Sequence, residues 1–397
     1  MQQNKQVVLI AGGGIGGLAA AIAASRAGCA VRLFERAPAF AEVGAGLQLG
    51  PNGVRRLRDW GLERALQAVA AFPERLQVRS AVTGAELAAM PLGADIARRY
   101  GAAYATLHRA DLHGLLLGAA QSQGDLQTHL ADAVARHRQS DGQVTVTLTS
   151  GATAAGDVLI GADGLRSVTR AQLLGEQAAR ASGHLAYRAM VRQADLPAAL
   201  RTAQVTAWLG PRLHVVQYPV RRGEWMNIVA IRHGTPPADL DGWDHAANAA
   251  DLESALSGTC APLQDTVRAV PRAGSGWRLW PLSDRPPVRG PLDLARGRVA
   301  LLGDAAHPMR PYLAQGAGMA IEDAAALQAA LEAAGTPMAD RLRHYASQRW
   351  QRVARVQARA QRNGRIFHAV GPVRWGRDLA LRWGGARLLD LPWLYGG

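Results

Sequence analysis

The sequence contains few of the residues on which secreted, zinc-binding and membrane-spanning proteins depend. Its 397 residues include two cysteines, Cys29 and Cys260, too few for a disulfide framework or a zinc cluster. No apolar run reaches the roughly 18 residues that a transmembrane helix needs. The N-terminal apolar stretch passes straight into glycines without a cleavage site, unlike a signal peptide. These absences predict a cytoplasmic protein.

Lysine is almost missing as well. Lys5 is the only lysine, so the formal net charge of +14 comes from arginines spread along the whole chain. A nucleic-acid-binding surface would concentrate its cations in a stripe or patch, and we therefore predict no nucleic-acid partner. Apolar residues make up 48% of the chain and charged residues 19%, which excludes wholesale disorder. The length predicts about two or three domains.

The first forty residues have the pattern of a nucleotide-binding β-α-β unit. A short apolar run (QVVLIA) predicts a buried strand, LAAAIAASRAG predicts a helix ending at Gly28, and CAVRLFE predicts a second strand ending at Glu35. In the G-x-G-x-x-G between them, Gly12 permits a tight turn, Gly14 lets a pyrophosphate approach and Gly17 allows close packing. The helix N-terminus would hold the anion, and Glu35 the ribose hydroxyls. A glycine-rich turn without a ligand is the alternative.

The remaining segments predict a two-domain α/β organisation. Residues 44–52 predict a glycine loop, followed by one amphipathic helix (VRRLRDWGLERAL), and residues 76–107 predict strands and loops. Aromatic and β-branched segments between about 180 and 285 predict one antiparallel sheet. The predicted parts are a discontinuous, doubly wound Rossmann-type domain (1–75, 100–179 and 285–350), a mixed or antiparallel sheet domain (76–99 and 180–284) and a C-terminal helical segment (351–397).

Two further glycine motifs each follow a predicted buried strand. The first is Gly161-Ala-Asp163-Gly164, for which an ordinary Asp-Gly turn is the alternative. In the second, GDAAHP, Asp304 could bind a ribityl or ribose hydroxyl. A helix is predicted to begin near Gly316, and the N-terminal end of a helix carries a partial positive charge. This end would suit the edge of a flavin ring, which becomes anionic when the flavin is reduced. A loop with a helix cap is the alternative here.

With all three motifs in this order, the chain resembles the single-component FAD-dependent aromatic hydroxylases, the family of para-hydroxybenzoate and salicylate hydroxylases. Arg109 in HRADLHGLL matches the family's arginine near the FAD phosphates, and WLYG at the C-terminus is also similar. The resemblance covers nearly the whole chain. It implies that the Rossmann-type domain binds FAD and that no metal is needed. The cofactor-binding residues it implies are Gly12, Gly14, Ile15, Gly16, Gly17, Glu35, Arg36, Gly46, Arg109, Leu130, Asp163, Gly303, Asp304, Pro308, Gly316, Ala317 and Gly318.

The resemblance also implies a reaction. NAD(P)H reduces FAD, O2 forms a C4a-hydroperoxyflavin, and its distal oxygen hydroxylates an electron-rich aromatic ring. The cofactor carries this chemistry, and the protein orients and desolvates. A second complete glycine fingerprint is missing, as is normal in the family, so the choice between NADH and NADPH stays open. We expect a monomer or a homodimer, with the C-terminal helices as a dimer face.

The strand LHVVQYPV carries the predicted catalytic residues. His214 and Tyr218 are four residues apart, which places both on one face of a strand. The segment resembles the active-site strand of 3-hydroxybenzoate 6-hydroxylases and 6-hydroxynicotinate 3-monooxygenases, in which His214 would take a phenolic proton and Tyr218 would orient the hydroxyl. A satisfied sheet histidine and a packed tyrosine are the alternative. The substrate-binding candidates are Gln48, Tyr312 and, for a carboxylate, Arg188 or Arg310.

The exact substrate stays open. Salicylate and 6-hydroxynicotinate enzymes usually have histidine in place of Tyr312, and 3-hydroxybenzoate enzymes usually have glutamine in place of Pro311. We expect a hydroxybenzoate such as 3-hydroxybenzoate or salicylate, with a hydroxynicotinate-type acid as the alternative. A ubiquinone-pathway ring hydroxylase and a non-enzymatic FAD-fold binding protein are weaker alternatives. A flavin halogenase is disfavoured, because Trp277 and Trp280 have the wrong spacing and Lys5 is no candidate for its active-site lysine.

Overall fold

The computed structural model describes residues 5–40, 45–140, 142–175, 179–236, 245–246 and 249–396. The strands are β1 (Val7–Ala11), β2 (Ala30–Phe34), β3 (Gly46–Leu49), β4 (Arg75–Ser80), β5 (Glu86–Pro91), β6 (Ala105–His108), β7 (Leu126–His129), β8 (Val134–Ser140), β9 (Gln143–Leu148), β10 (Thr153–Gly156), β11 (Val158–Gly161), β12 (Arg180–Arg192), β13 (Val205–Gly210), β14 (Leu213–Val220), β15 (Trp225–His233), β16 (His245–Ala246), β17 (Arg278–Asp284), β18 (Ala295–Arg296) and β19 (Val299–Leu301). The helices are α1 (Ile15–Arg26), α2 (Pro51–Asp59), α3 (Glu63–Val69), α4 (Gly93–Tyr100), α5 (Arg109–Gln121), α6 (Val168–Leu174), α7 (Ala249–Ala255), α8 (Ala261–Arg272), α9 (Gly316–Leu331), α10 (Met338–Phe367), α11 (Gly371–Gly384), α12 (Ala386–Leu389) and α13 (Pro392–Tyr395).

A six-stranded sheet forms the nucleotide-binding half of the molecule. Its order is β18-β19-β11-β1-β2-β7, with all pairs parallel except β18 with β19. Helix α1 packs between α5 and α9, and its residues from Gly17 to Ala24 are buried on every side. A helix that is apolar all round is expected in such an interior position. The α/β class and the predicted β-α-β unit are confirmed.

An eight-stranded sheet forms the second half, in the order β16-β17-β12-β15-β14-β13-β4-β5. Its pairs are antiparallel except for β13 with β4, which run parallel. The sheet, predicted to be mixed or antiparallel, is therefore mixed, because β4 and β5 join the antiparallel strands of the later segment from far earlier in the chain. The boundaries between domains stay a prediction.

Four local predictions are wrong. The loop predicted at 44–52 contains strand β3, which pairs with β6; Gly44 lies outside the described residues. The single predicted helix is interrupted at Gly61, whose φ of +80° no helix accommodates. The segment 76–107 contains helix α4, which buries Ile96 and Tyr100, and the predicted sheet region contains α7 and α8. Short amphipathic helices between strands are hard to distinguish from strands by pattern alone.

The C-terminal part is helical, as predicted, and dominated by the 30-residue helix α10. Helix α11 exposes Trp375, Leu379 and Trp383, which are spaced four residues apart and so lie along one side of the helix. This apolar stripe coincides with the predicted dimer face, which stays a prediction. Among the described helices, none combines the length and the apolar character needed to cross a bilayer.

Candidate active site

A cavity of about 320 Å³ lies between the two sheets. One wall follows the carboxyl ends of β1, β11 and β19, where ligands of open α/β sheets bind. The opposite wall is one face of β12, β15 and β14. Predicted site residues that line the cavity are Gly14, Ile15, Gly16, Gly46, Gln48, Arg109, Arg188, His214, Tyr218, Gly303, Asp304, Gly316 and Ala317.

The glycine fingerprint forms a cradle that side chains would fill. Gly12 has a φ of +98°, and a Cβ there would lie 2.5 Å from the carbonyl oxygen of Ala162. A Cβ on Gly17 would lie 1.8 Å from the carbonyl oxygen of Gly12. The turn is therefore sterically restricted to glycine, and it leaves the N-terminus of α1 open at Gly14 and Gly16. An exposed helix N-terminus beside bare backbone fits the pyrophosphate of a dinucleotide, and FAD matches this cradle.

The third glycine motif supplies a carboxylate and a second helix N-terminus. Gly303 adopts a φ of +60°, and Asp304 after it is exposed on the cavity wall. Helix α9 begins at Gly316 on the same wall. A carboxylate and the positive end of a helix dipole thus meet in one cavity, which suits a ligand with both hydroxyls and a developing negative charge.

A buried ionic network holds this motif in place, and sequence reasoning missed it. Asp323 on α9 accepts hydrogen bonds from the Gly303 backbone N–H at 3.2 Å and from the Arg349 Nε at 2.7 Å, and it pairs with the His307 ring. Burial alone would raise the pKa of Asp323, but His307 and Arg349 outweigh it and lower the pKa to about 2. Next to it, Glu322 accepts from Arg349 at 2.9 Å. His307 is thus buried inside the motif.

The register of β12, β15 and β14 determines which side chains face the cavity from the eight-stranded sheet. His214, Val216 and Tyr218 alternate along β14 and line the cavity. Directly opposite residues on antiparallel strands share a face, so Arg188, Val229 and Val216 form one row across three strands. The alternation predicted for His214 and Tyr218 therefore places both beside an apolar floor.

Arg188 is a cation that has no carboxylate partner among the described residues. Its guanidinium lies 3.8 Å from the ring centroid of Trp280, and its Nε is buried without a hydrogen-bond partner among the described residues. Burial lowers the pKa of Arg188 to about 10, which leaves it charged at neutral pH. Arg310, the other carboxylate candidate, already donates to Asp284 at 2.5 Å. Arg188 is thus the better placed of the two to receive an acid.

His214 is held by a second histidine that the sequence gave no reason to select. Its Nδ1 lies 2.7 Å from the Nε2 of His368, the residue that follows α10. Burial and the neighbouring His184 lower the pKa of His214 to about 3, so the ring is neutral in the free protein. With Nδ1 facing His368, the Nε2 of His214 is the nitrogen left for the cavity.

Gln48 and Tyr218 line the part of the cavity that lies beyond Val216 as seen from His214. Gln48 accepts a hydrogen bond from the hydroxyl of Tyr104 at 2.7 Å, which fixes the amide. Burial raises the pKa of Tyr218 above its usual range, so its hydroxyl stays protonated and available as a donor. Backbone N–H of Gly46 donates to Asn227 at 2.8 Å and ties β3 to the sheet wall.

Several predicted residues lie off the cavity wall. Tyr312 is buried behind His214, with its hydroxyl bonded to His184. Glu35 accepts from the backbone N–H of Gly13 at 2.6 Å, and Asp163 accepts from the Thr169 backbone at 3.0 Å. The others outside the wall are Gly12, Gly17, Arg36, Leu130, Pro308 and Gly318. Their roles toward the cofactor stay predictions.

Removing the Asp304 carboxylate is expected to weaken FAD binding by about 10–100-fold, the value of a hydrogen bond to a charged group. Asp304→Ala would be compared with Asp304→Asn, which keeps an acceptor and should lose less. The dissociation constant of FAD, measured by flavin fluorescence on the apoprotein, reports the effect. Stoichiometric flavin retained by Asp304→Ala at low concentration would remove Asp304 from the cofactor site.

Comparisons with known proteins agree with this geometry. The profile of a protein family described as "FAD binding domain" matches residues 5–360. A 3-hydroxybenzoate 6-hydroxylase of Polaromonas naphthalenivorans (strain CJ2) is 38% identical over 394 residues, which are 98% of this chain and 95% of that protein. A 6-hydroxynicotinate 3-monooxygenase of Bordetella bronchiseptica is 36% identical over 89% of this chain and 90% of its own.

A solved structure has the same architecture. Klebsiella pneumoniae HpxO, complexed with FAD and uric acid, superposes with a TM-score of 0.85 at 28% identity, over 98% of this chain and 95% of that one. The fold is therefore shared along nearly the whole length of both chains.

Proposed function

Because the chain belongs to the FAD-binding-domain family, we propose that it hydroxylates a small phenolic aromatic acid of the hydroxybenzoate type, such as 3-hydroxybenzoate. It is a FAD-dependent monooxygenase that uses NAD(P)H as reductant. The observation that carries the substrate class is Arg188, a half-buried cation on the cavity wall whose buried Nε has no hydrogen-bond partner among the described residues. A substrate carboxylate would satisfy both its charge and its donor.

The floor between the polar groups suits an aromatic ring. Val229 and Val216 continue the row from Arg188 across the sheet, and two strand spacings of about 4.8 Å separate Arg188 from β14. His214 and Tyr218 flank that row one step to either side. A ring lying on the valines would thus direct its carboxylate to Arg188 and its hydroxyl to β14.

The polar groups of β14 act on the phenolic hydroxyl. When His214 donates its Nδ1 proton to His368, its Nε2 becomes an acceptor facing the cavity. Accepting the phenolic hydrogen there makes the ring more electron-rich, which favours electrophilic oxygen transfer. Tyr218, on the far side of Val216, is the proposed donor that orients the bound substrate, and His368 is a positioning residue. FAD, held by the glycine cradle and Asp304, supplies the redox chemistry when bound.

A hydroxypyridine carboxylic acid is the second candidate. The His-x-x-x-Tyr pattern of β14 and the relative named for 6-hydroxynicotinate both favour it. It would use the same contacts, since it also combines a carboxylate with a ring hydroxyl.

Neutralising Arg188 is expected to raise the KM for a carboxylated phenol by about 10–100-fold, because hydrogen bonds to charged groups contribute roughly 1.5–3 kcal/mol. Arg188→Met keeps an unbranched side chain that fills most of the space of the arginine stem, and it removes the charge. The comparison pairs 3-hydroxybenzoate with its neutral amide, whose KM should change little. Arg192→Met, on the exposed end of the same strand, is the control. Equal losses for acid and amide would contradict a carboxylate contact.

We also propose a cellular compartment and an oligomeric state for the enzyme. Both cysteines, the buried Cys29 and the partly buried Cys260, are free thiols, which supports a reducing cytoplasm. The protein acts as a monomer or homodimer with O2, NAD(P)H and the aromatic acid as its partners, without nucleic acid.

A further inference from the structure

Three histidines from distant parts of the chain meet beside the cavity, outside its wall. His184 on β12 and His233 on β15 are directly opposite each other in the sheet register. His368, which follows α10, lies with its ring centroid 5.0 Å from each of them. One ring nitrogen from each of the three lies within 4.8 Å of the others. The proposed hydroxylation uses only His368 of the three, through its contact with His214, and it gives the group of three no role.

The spacing is close to that of a metal centre. Zinc binds imidazole nitrogen at about 2.0–2.1 Å, which places tetrahedral ligand nitrogens about 3.3 Å apart. Side-chain rotations that move each ring nitrogen by about an ångström would bring the three nitrogens to that distance. His184 and His368 are buried, whereas His233 is exposed, so an ion could enter from the His233 side.

The second nitrogens of two of these rings already have partners. The Nδ1 of His184 bonds to the hydroxyl of Tyr312, and the Nε2 of His368 lies 2.7 Å from the Nδ1 of His214. The Nδ1 of His368 is buried without a hydrogen-bond partner among the described residues. Metal-binding histidines characteristically use one nitrogen for the ion and donate the other N–H to a neighbouring acceptor. This is the pattern seen here, and an unpartnered buried nitrogen is otherwise costly.

We propose that His184, His233 and His368 bind one divalent transition-metal ion of the zinc class. Three neutral imidazoles and an open fourth position suit Zn²⁺, Cu²⁺ or Ni²⁺ rather than Mg²⁺ or Ca²⁺, which prefer oxygen ligands. The ion would join the end of α10 to strands β12 and β15, next to His214.

Zinc titrated into the FAD-loaded, untagged protein tests the site by calorimetry. The wild type should bind one Zn²⁺ per chain, and His233→Ala should bind at least about 10-fold more weakly, because a ligand is lost. His344→Ala, which removes an exposed histidine of α10, should bind as the wild type does.

Two outcomes would overturn the metal site: wild-type zinc binding no tighter than that of His233→Ala, or binding weakened equally by His344→Ala. Because His233 is exposed, its replacement opens no buried cavity, and an unchanged FAD content verifies the fold of each variant. His184→Ala gives a second reading of the same site and should also lose at least about 10-fold in zinc affinity.

Metal binding would also change His214, a consequence that rests on the proposed function. A metal on Nδ1 of His368 places that ring's proton on Nε2, which then donates to Nδ1 of His214. The proton of His214 moves to Nε2, and the nitrogen facing the cavity becomes a donor. Zinc should therefore lower the product formed per NAD(P)H oxidised in the wild type and not in His233→Ala. Calorimetry needs no turnover, so a wrong substrate proposal leaves the binding result intact.

Discussion

Replacing His214 by alanine is expected to lower the rate of product formation by about 10²–10⁴-fold, the usual contribution of a positioned acid–base group. The variant removes the Nε2 acceptor that faces the cavity and the Nδ1 partner of His368. The glycine cradle lies on the opposite wall, so FAD binding and flavin reduction should be largely retained. The substrate hydroxyl then keeps its proton, and oxygen transfer slows.

Two measurements separate these effects. Stopped-flow reduction of bound FAD by NAD(P)H reports the first half-reaction, and the ratio of hydroxylated product to NAD(P)H consumed reports the second. His344→Ala, an exposed histidine, is the control and should match the wild type in both. Unchanged product formation in His214→Ala would remove this residue from the mechanism.

Removing the Asp323 carboxylate is expected to lower the free energy of unfolding by about 3–5 kcal/mol, because the buried Arg349 would lose one of its two carboxylate partners and keep only Glu322. Asp323 is fully buried and also holds the Gly303 N–H and the His307 ring. Asp323→Ala therefore disturbs both the core and the turn that carries Asp304. Chemical unfolding at saturating FAD measures the loss.

A surface pair provides the control for Asp323. Asp340→Ala breaks the exposed ion pair with Arg343, for which a loss below about 1 kcal/mol is expected. The pH dependence gives an independent check. The pKa of Asp323 is lowered from 3.8 to about 2, so its contribution is present above about pH 4 and is lost as the pH falls toward 2. Asp323→Ala should lack this loss, and equal stabilities of the two variants would contradict the network.

The sequence predicts correctly those helices and strands that are determined by residues close together in the chain. The β1-α1-β2 unit follows from an apolar run, a glycine turn and a helix that ends at Gly28, all within forty residues. The sequence predicts a loop where β3 lies because residues 44–52 contain three glycines. The strand is stabilised by its pairing with β6 and by the Gly46 contact with Asn227. Such long-range contacts override local propensity.

The same distinction holds for the candidate site. His214 and Tyr218 could be placed together because alternation along one strand fixes their common face. His368 and Asp323 act across separations of 154 and 20 residues through hydrogen bonds that no pattern encodes. The choice of Arg188 over Arg310 depended on the partner of each guanidinium, Trp280 or Asp284, which only the fold reveals. Tyr312 was expected at the substrate and lies one layer behind His214.

The most direct test of the proposed function is NADH and NADPH oxidation by the purified, FAD-loaded protein in the presence of single aromatic substrates. The panel contains 3-hydroxybenzoate, salicylate, 6-hydroxynicotinate, the neutral amide of 3-hydroxybenzoate and a quinone precursor, with products identified by mass. We predict that a carboxylated phenol stimulates oxidation most strongly and gains one oxygen atom, and that the neutral amide at the same concentration is hydroxylated more slowly. Preferential hydroxylation of the amide or the quinone precursor, or no stimulation by any acid with FAD bound, would contradict the proposal.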